Sequence, residues 1–235
     1  MTTRPADNPA PIICLIDPLC GWCYAVTPQL IKLRAALGHD VAQILPTGLF
    51  SGAGARPMTP AFRDYAWQND QRIARLSGQP FSQLYYDRVL SDVSAPFDSG
   101  PASLTLAMAE FLKAGSGLEI LTHLQKARYV EGRNLCDSDV LLGIVAEFGF
   151  DRRRFAAALD DPVQSEAAME IITDGRRLLA RHGLEAVPAM IINDGTDQTL
   201  VPSSVLVDPS LGLIETLIAH FRNGAGATPL KFRHR

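Results

Sequence analysis

Short apolar runs of strand type sit at both ends of this chain, and everything between them carries helical periodicity. That arrangement leaves few folds open. Ile12-Ile13-Cys14-Leu15-Ile16 is continuous and flanked by prolines, as expected of a strand buried on both faces. Asp17-Pro18 ends it, because proline restricts the residue before it and cannot extend the ladder. A helical pattern follows, with Leu30, Leu33 and Leu37 on one face, Pro28 kinking its interior and Gly38 as its stop. Residues 41–45 then read as a second strand, completing a strand-helix-strand unit.

Residues 48–60 form a glycine- and proline-rich connector. From 61 to 183 helical periodicity dominates, with helices expected over 62–76, 101–114, 118–129, 141–148, 155–159 and 167–181. Strand signals return at 187–192, followed by the turn sequence Asn193-Asp194-Gly195 and a returning strand at 199–201. An amphipathic helix over 209–222 closes the pattern, with Leu211, Ile214, Leu217, Ile218 and Phe221 inward. The expected architecture is an α/β domain built from 10–58 and 184–225, interrupted by an all-helical insertion over 59–183.

A net charge of −3 over 235 residues, without long basic runs, argues against nucleic acid as a partner. Arg152-Arg153-Arg154 reads as the solvated start of a helix, and the basic residues 231–235 as a terminus. No stretch approaches the roughly 20 apolar residues that cross a bilayer, and residues 1–11 lack the apolar centre of a signal peptide. The expectation is a cytoplasmic protein with no membrane partner. Four cysteines in such a chain do not make a disulfide scaffold, so a close pair points to catalysis, redox sensing or metal.

That pair is Cys20-Gly21-Trp22-Cys23, placed where a strand hands over to a helix. Backbone N–H groups and the dipole at a helix start favour a thiolate, the form that attacks disulfides. A second cysteine one turn on can reach the first sulfur and resolve a mixed disulfide. Gly21 is expected to let the backbone turn tightly, and Trp22 to stand at the surface, either touching substrate or as a plain rim aromatic. A zinc site would need a second ligand pair, and Cys14 and Cys136 stand alone. Cys14 reads as a core residue, while the role of Cys136 stays open. Pro188 opens an apolar strand, either as a trans proline or in a cis peptide that turns strand-edge groups of Val187 toward the cysteines, so that an extended substrate could add to that edge. Asp17 is either a proton relay to the second thiol or the turn that ends the strand. Tyr24 reads as packing, and His39, His123, His182, His220 and His234 lack spaced ligand partners.

The segment Asp17-Pro18-Leu19-Cys20-Gly21-Trp22-Cys23-Tyr24, with Ala186-Val187-Pro188-Ala189 downstream, resembles the DsbA-like family of disulfide oxidoreductases, closest to its soluble protein-disulfide isomerase members of the FrnE type. The resemblance implies a thioredoxin fold with a large helical insertion, and the 165-position separation of Cys23 and Pro188 leaves room for one. It makes Cys20 the attacking cysteine, Cys23 the resolving one, Pro188 a cis-proline and Val187 a backbone contact for substrate. Pro28 resembles the helix-kinking proline of thioredoxins. The implied function is thiol-disulfide exchange on a disulfide-containing protein or a small thiol substrate. No metal or bound cofactor is expected, and glutathione or thioredoxin could serve as external thiol donor. Two other readings compete. One is a glutathione-dependent transferase or isomerase resembling the kappa class, with a single nucleophile. The other is a non-enzymatic redox- or metal-responsive binding protein. Between the cysteines stands Gly-Trp instead of the Pro-His of strongly oxidising relatives, so no histidine stabilises the thiolate. A redox titration against glutathione is therefore expected to give roughly −180 to −270 mV, and a value near about −120 mV would refute this.

Overall fold

The computed structural model describes residues 11–193, 198–201 and 203–222. Strand β1 (Ile12–Ile16) is buried at every position and forms the centre of the sheet. Helix α1 (Gly21–Leu37) follows, with Pro28 inside it, and leads to β2 (Ala42–Pro46), which pairs parallel with β1. Strand β5 (Ala189–Asn193) pairs antiparallel with the other side of β1, and β6 (Gln198–Val201) pairs antiparallel with β5. The sheet order is β2-β1-β5-β6. Both central strands are almost continuously apolar because helices cover both faces. A short helix, α9 (Ser203–Leu206), follows β6, and helix α10 (Leu213–Arg222) packs on α1. This α/β sheet with helices between its halves is the thioredoxin fold with a helical insertion that the sequence led us to expect.

Between β2 and β5 lie α2 (Pro60–Ser77), α3 (Gln83–Tyr85) running into a π turn over Tyr86–Leu90, α4 (Gly100–Leu112), α5 (Gly117–Tyr129), α6 (Ser138–Glu147), α7 (Arg152–Asp160) and α8 (Pro162–Arg181). Several of their starts are capped by side chains that the sequence displays, though those of α4 and α5 are not. Thr59 accepts from the Phe62 amide, Asp137 from Asp139 and Val140, Asp151 from Arg154, and Asp161 from Val163 and Gln164. The Asp161-Pro162 pair starts α8 five residues before the expected boundary, with proline at a position where its missing N–H costs nothing. Gly212, in the left-handed region, separates a 3₁₀ turn (Pro209–Leu211) from α10, so the closing helix is shorter than expected. Periodicity over 61–183 did not reveal α3 or a two-residue ribbon, β3 (Arg56–Pro57) against β4 (Pro96–Phe97). Both are too short for periodicity to register. The expected Asp194-Gly195 turn, the termini 1–10 and 223–235 and His234 lie outside the described residues.

The inserted helices share one buried core with the sheet. Helix α8 packs against both β2 and α4, and α5 against α1. Helix α8 approaches β2 closely at Gly175, where a Cβ would stand 2.7 Å from the Pro46 carbonyl oxygen. One residue on, Arg176 donates from Nε to Thr47 O at 2.7 Å and from Nη2 to Gly48 O at 3.0 Å. A glycine inside an exposed helix normally gains about 1 kcal/mol on substitution by alanine. Here the opposite is expected. Gly175→Ala should cost about 1–3 kcal/mol in urea unfolding, because backbone must move to admit the methyl group.

Candidate active site

Cys20 is the N-cap of α1, with extended backbone, and its sulfur accepts the Cys23 amide at 3.4 Å. A serine or aspartate oxygen commonly fills this role. With a sulfur there instead, the helix start offers its N–H groups and dipole to a potential thiolate. From the far end of the sequence, Val187 O accepts the Cys20 thiol at 3.5 Å. The Val187–Pro188 peptide is cis, and Pro188 O accepts from Ser203 Oγ at 3.3 Å. The two sequence segments singled out above therefore meet. Strand β5 is paired on both sides from Met190 to Ile192, whereas Ala189 is paired with Leu15 of β1 and has no partner in the β6 register.

The two cysteines differ in environment. Both are free thiols, Cys20 being 6% exposed and Cys23 fully buried. Burial pushes the Cys23 thiol well above the ordinary range, and the adjoining Cys20 sulfur pushes it the same way. The Asp17 amide donates to Cys23 Sγ at 3.5 Å. The Asp17 carboxyl group is itself fully buried, accepting from Ser99 Oγ at 2.6 Å, Leu19 N at 2.9 Å and Phe50 N at 3.2 Å. Burial raises its proton affinity despite those donors. Asp17 thus ends the strand and also stands beside the second thiol.

Gly21 lies within regular helix, so a tight turn is not what requires it. Its Cβ would fall 2.6 Å from Asp70 Oδ1 and 2.9 Å from Ile73 Cδ1. Close packing of α2 on the helix start is the cause. Trp22 is half-buried, and the Arg72 guanidinium carbon lies 5.9 Å from its ring centroid. Tyr24 is a packing residue, stacked on Tyr129 at 4.8 Å and edge-on to Phe81 at 5.4 Å. Cys14 sits in the sheet core, where burial raises its thiol to about 12. Cys136 is half-buried, donating to the carbonyls of Pro96 and Asp98. Among the described residues no group of three or more His, Cys, Asp or Glu side chains could hold a metal ion. None of the helices there is long and apolar enough to cross a membrane.

A buried polar layer behind the cysteines escaped sequence reasoning. Asp70 accepts from Tyr85 OH at 2.9 Å. Arg128 lies over the rings of Tyr85, Phe97 and Tyr129 at 5.2, 5.5 and 5.8 Å, and its Nε and Nη2 have no acceptor among the described residues. Gln125 accepts from Thr27 one turn beyond Cys23. The signal was present, since Asp70 precedes Ile73 by three and Arg128 follows Leu124 by four, putting charges on apolar helix faces.

Burial raises Asp70 from 3.8 to about 7. A folded aspartate that keeps its proton longer makes the native state bind more protons between those values. The stability it confers is full below about pH 4 and is lost as pH rises toward 7. Asp70→Asn should therefore gain stability relative to the parent by roughly 2–4 kcal/mol between pH 4 and 8. Urea unfolding of both proteins across that interval measures it, and parallel curves would refute it.

No family model matches the chain. Cytosolic disulfide reductase DsbM from Pseudomonas aeruginosa is similar to it over 91% of this chain and 99% of that one, at 31% identity and a TM-score of 0.76. A second structure of DsbM, with GSH, superposes with a TM-score of 0.75 at 30% identity over 90% of this chain and 98% of that one. The ClpXP adapter protein SpxH of Shouchella clausii is 29% identical over 171 residues, which are 69% of this chain and 52% of that protein. SpxH of Bacillus subtilis is 22% identical over 78% of this chain and 58% of its own length. The chain thus spans about half the length of the SpxH proteins and nearly all of DsbM. With a cysteine pair at a helix start, Val187 beside it and DsbM matched end to end, the chain belongs to the DsbA-like thioredoxin-fold family of thiol-disulfide oxidoreductases.

Proposed function

We propose that this protein carries out dithiol–disulfide exchange through Cys20 and Cys23, working as a reductase or isomerase on disulfide-containing proteins or small disulfides. One observation carries the reading: Cys20 caps the helix with its sulfur while Cys23 is sealed behind it. As a thiolate, Cys20 attacks one sulfur of the substrate disulfide. A Cys20–substrate disulfide forms, the substrate S–S bond breaks, and the departing thiolate takes up a proton. Cys23 then gives up its proton and attacks Cys20 Sγ, releasing the second substrate thiol and leaving a Cys20–Cys23 disulfide. Two equivalents of an external thiol restore the dithiol and leave as their own disulfide. That DsbM has been solved with GSH supports glutathione as this donor; thioredoxin is the alternative.

The remaining roles follow from position. Asp17 relays the proton of Cys23, since its amide touches that sulfur and its carboxyl group is buried with raised proton affinity. Val187 presents backbone to the substrate near Cys20, Pro188 shapes that loop, and Trp22 forms the rim. No metal or bound cofactor enters. In a compartment poised near about −220 to −320 mV, such as cytoplasm, net flow runs toward reduction or isomerisation.

Insulin reduction with dithiothreitol or glutathione as donor tests this. Cys20→Ser should lose activity by at least about a hundredfold, whereas Cys23→Ser should lose turnover yet accumulate a mixed disulfide visible by mass spectrometry. Full activity in the Cys20→Ser protein would refute the assignment. Full glutathione-dependent activity in the Cys23→Ser protein would point to a single-nucleophile, kappa-class-like enzyme instead.

A further inference from the structure

The exposed half of α2 beside the cysteines carries cations without acidic neighbours. Between residues 65 and 80 the one acid is Asp70, and it is buried against Gly21 with Tyr85 as its donor. Arg72 and Arg75 are both exposed. Positions three and four residues from Arg72 are Gln68, Asn69, Arg75 and Leu76, so the helix supplies it no carboxylate and places a second cation nearby. Among the described residues Arg72 forms no ion pair or side-chain hydrogen bond, and its guanidinium carbon lies 5.9 Å from the Trp22 ring centroid. An aromatic face steers a guanidinium without using up its N–H donors. Arg72 is thus held over Trp22, one of the two residues between the cysteines, with its hydrogen-bonding fork unspent, in a protein whose net charge is −3.

Resting on the exchange reading above, we propose that Arg72, held over the Trp22 indole, receives a carboxylate of acidic thiol peptides of the glutathione type, so that the site selects anionic disulfides. Trp22 stands two residues from Cys20 along the helix, and a peptide sulfur meeting Cys20 has its nearest carboxylates a residue or so away. Planar guanidinium and planar carboxylate match in a bidentate pair. The chemical step is unchanged. Cys20 bonds to one substrate sulfur, the substrate S–S bond breaks, and the departing thiolate is protonated by solvent.

Stopped-flow oxidation of the reduced full chain by glutathione disulfide, by neutral 2-hydroxyethyl disulfide and by cationic cystamine tests the proposal without any external reductant. The readout is the ratio of second-order rate constants for the anionic disulfide over the neutral one. Arg72→Ala should lower that ratio roughly threefold to tenfold and Arg72→Glu further, with the cystamine ratio rising, while Arg72→Lys restores most of it. Raising salt from about 0.05 M to about 0.5 M should lower the ratio in the parent and leave it flat in Arg72→Ala. A ratio within twofold of the parent in both the Ala and Glu variants overturns the Arg72 proposal alone. Failure of all three disulfides to oxidise the parent overturns the exchange reading, and the Arg72 proposal falls with it.

Discussion

Everything distinctive about this molecule depends on a sulfur standing where a helix needs a hydrogen-bond acceptor. Cys20 closes the first turn of α1 by accepting the Cys23 amide, and on its other side it meets the carbonyl of Val187. The first contact is local and would form in any chain that starts a helix here. The second spans 167 residues of sequence and exists only when β5 has paired with β1 and the inserted helices are in place. The proposed reactive centre is thus completed by the fold, not by the motif.

The same contacts separate two chemically identical side chains. One cysteine, 6% exposed, accepts a helix amide, while the other is fully buried where charge is costly. Thiol-disulfide exchange needs this division, because one group must be ready to attack and the other must wait. Asp17, with three donors converging on a buried carboxyl group, ties the end of β1 to α4 through Ser99 and to the connector after β2 through Phe50. A residue that ends a strand also defines the floor of the site.

Much of this was legible in the sequence, for identifiable reasons. The strand Ile12–Ile16 and the helices α4, α5 and α8 announce themselves by uninterrupted apolar patterning, which burial on both faces requires. The cysteine pair is legible because its spacing matches one helical turn. What stayed hidden was long-range or short. The roles of Asp70 and Arg128 depend on α2 and α5 meeting α1, which no local pattern encodes. Gly21 looked like a turn residue because glycine beside cysteine fits that reading, whereas its actual cause is a neighbouring helix pressed against it. The end of α10 was read well and its start was not, because Gly212 breaks a run of apolar residues without altering their spacing.

Complete enclosure of Cys23 has a consequence for how the oxidised protein can be opened. In the exchange proposed above, a thiol arriving from solvent would find a single sulfur of the pair within reach, so cleavage would be regioselective by shielding alone. On that proposal every adduct, whether formed while accepting electrons or donating them, would be routed onto the same atom, and the inner sulfur would exchange only with its neighbour. Forward and reverse traffic share one gate.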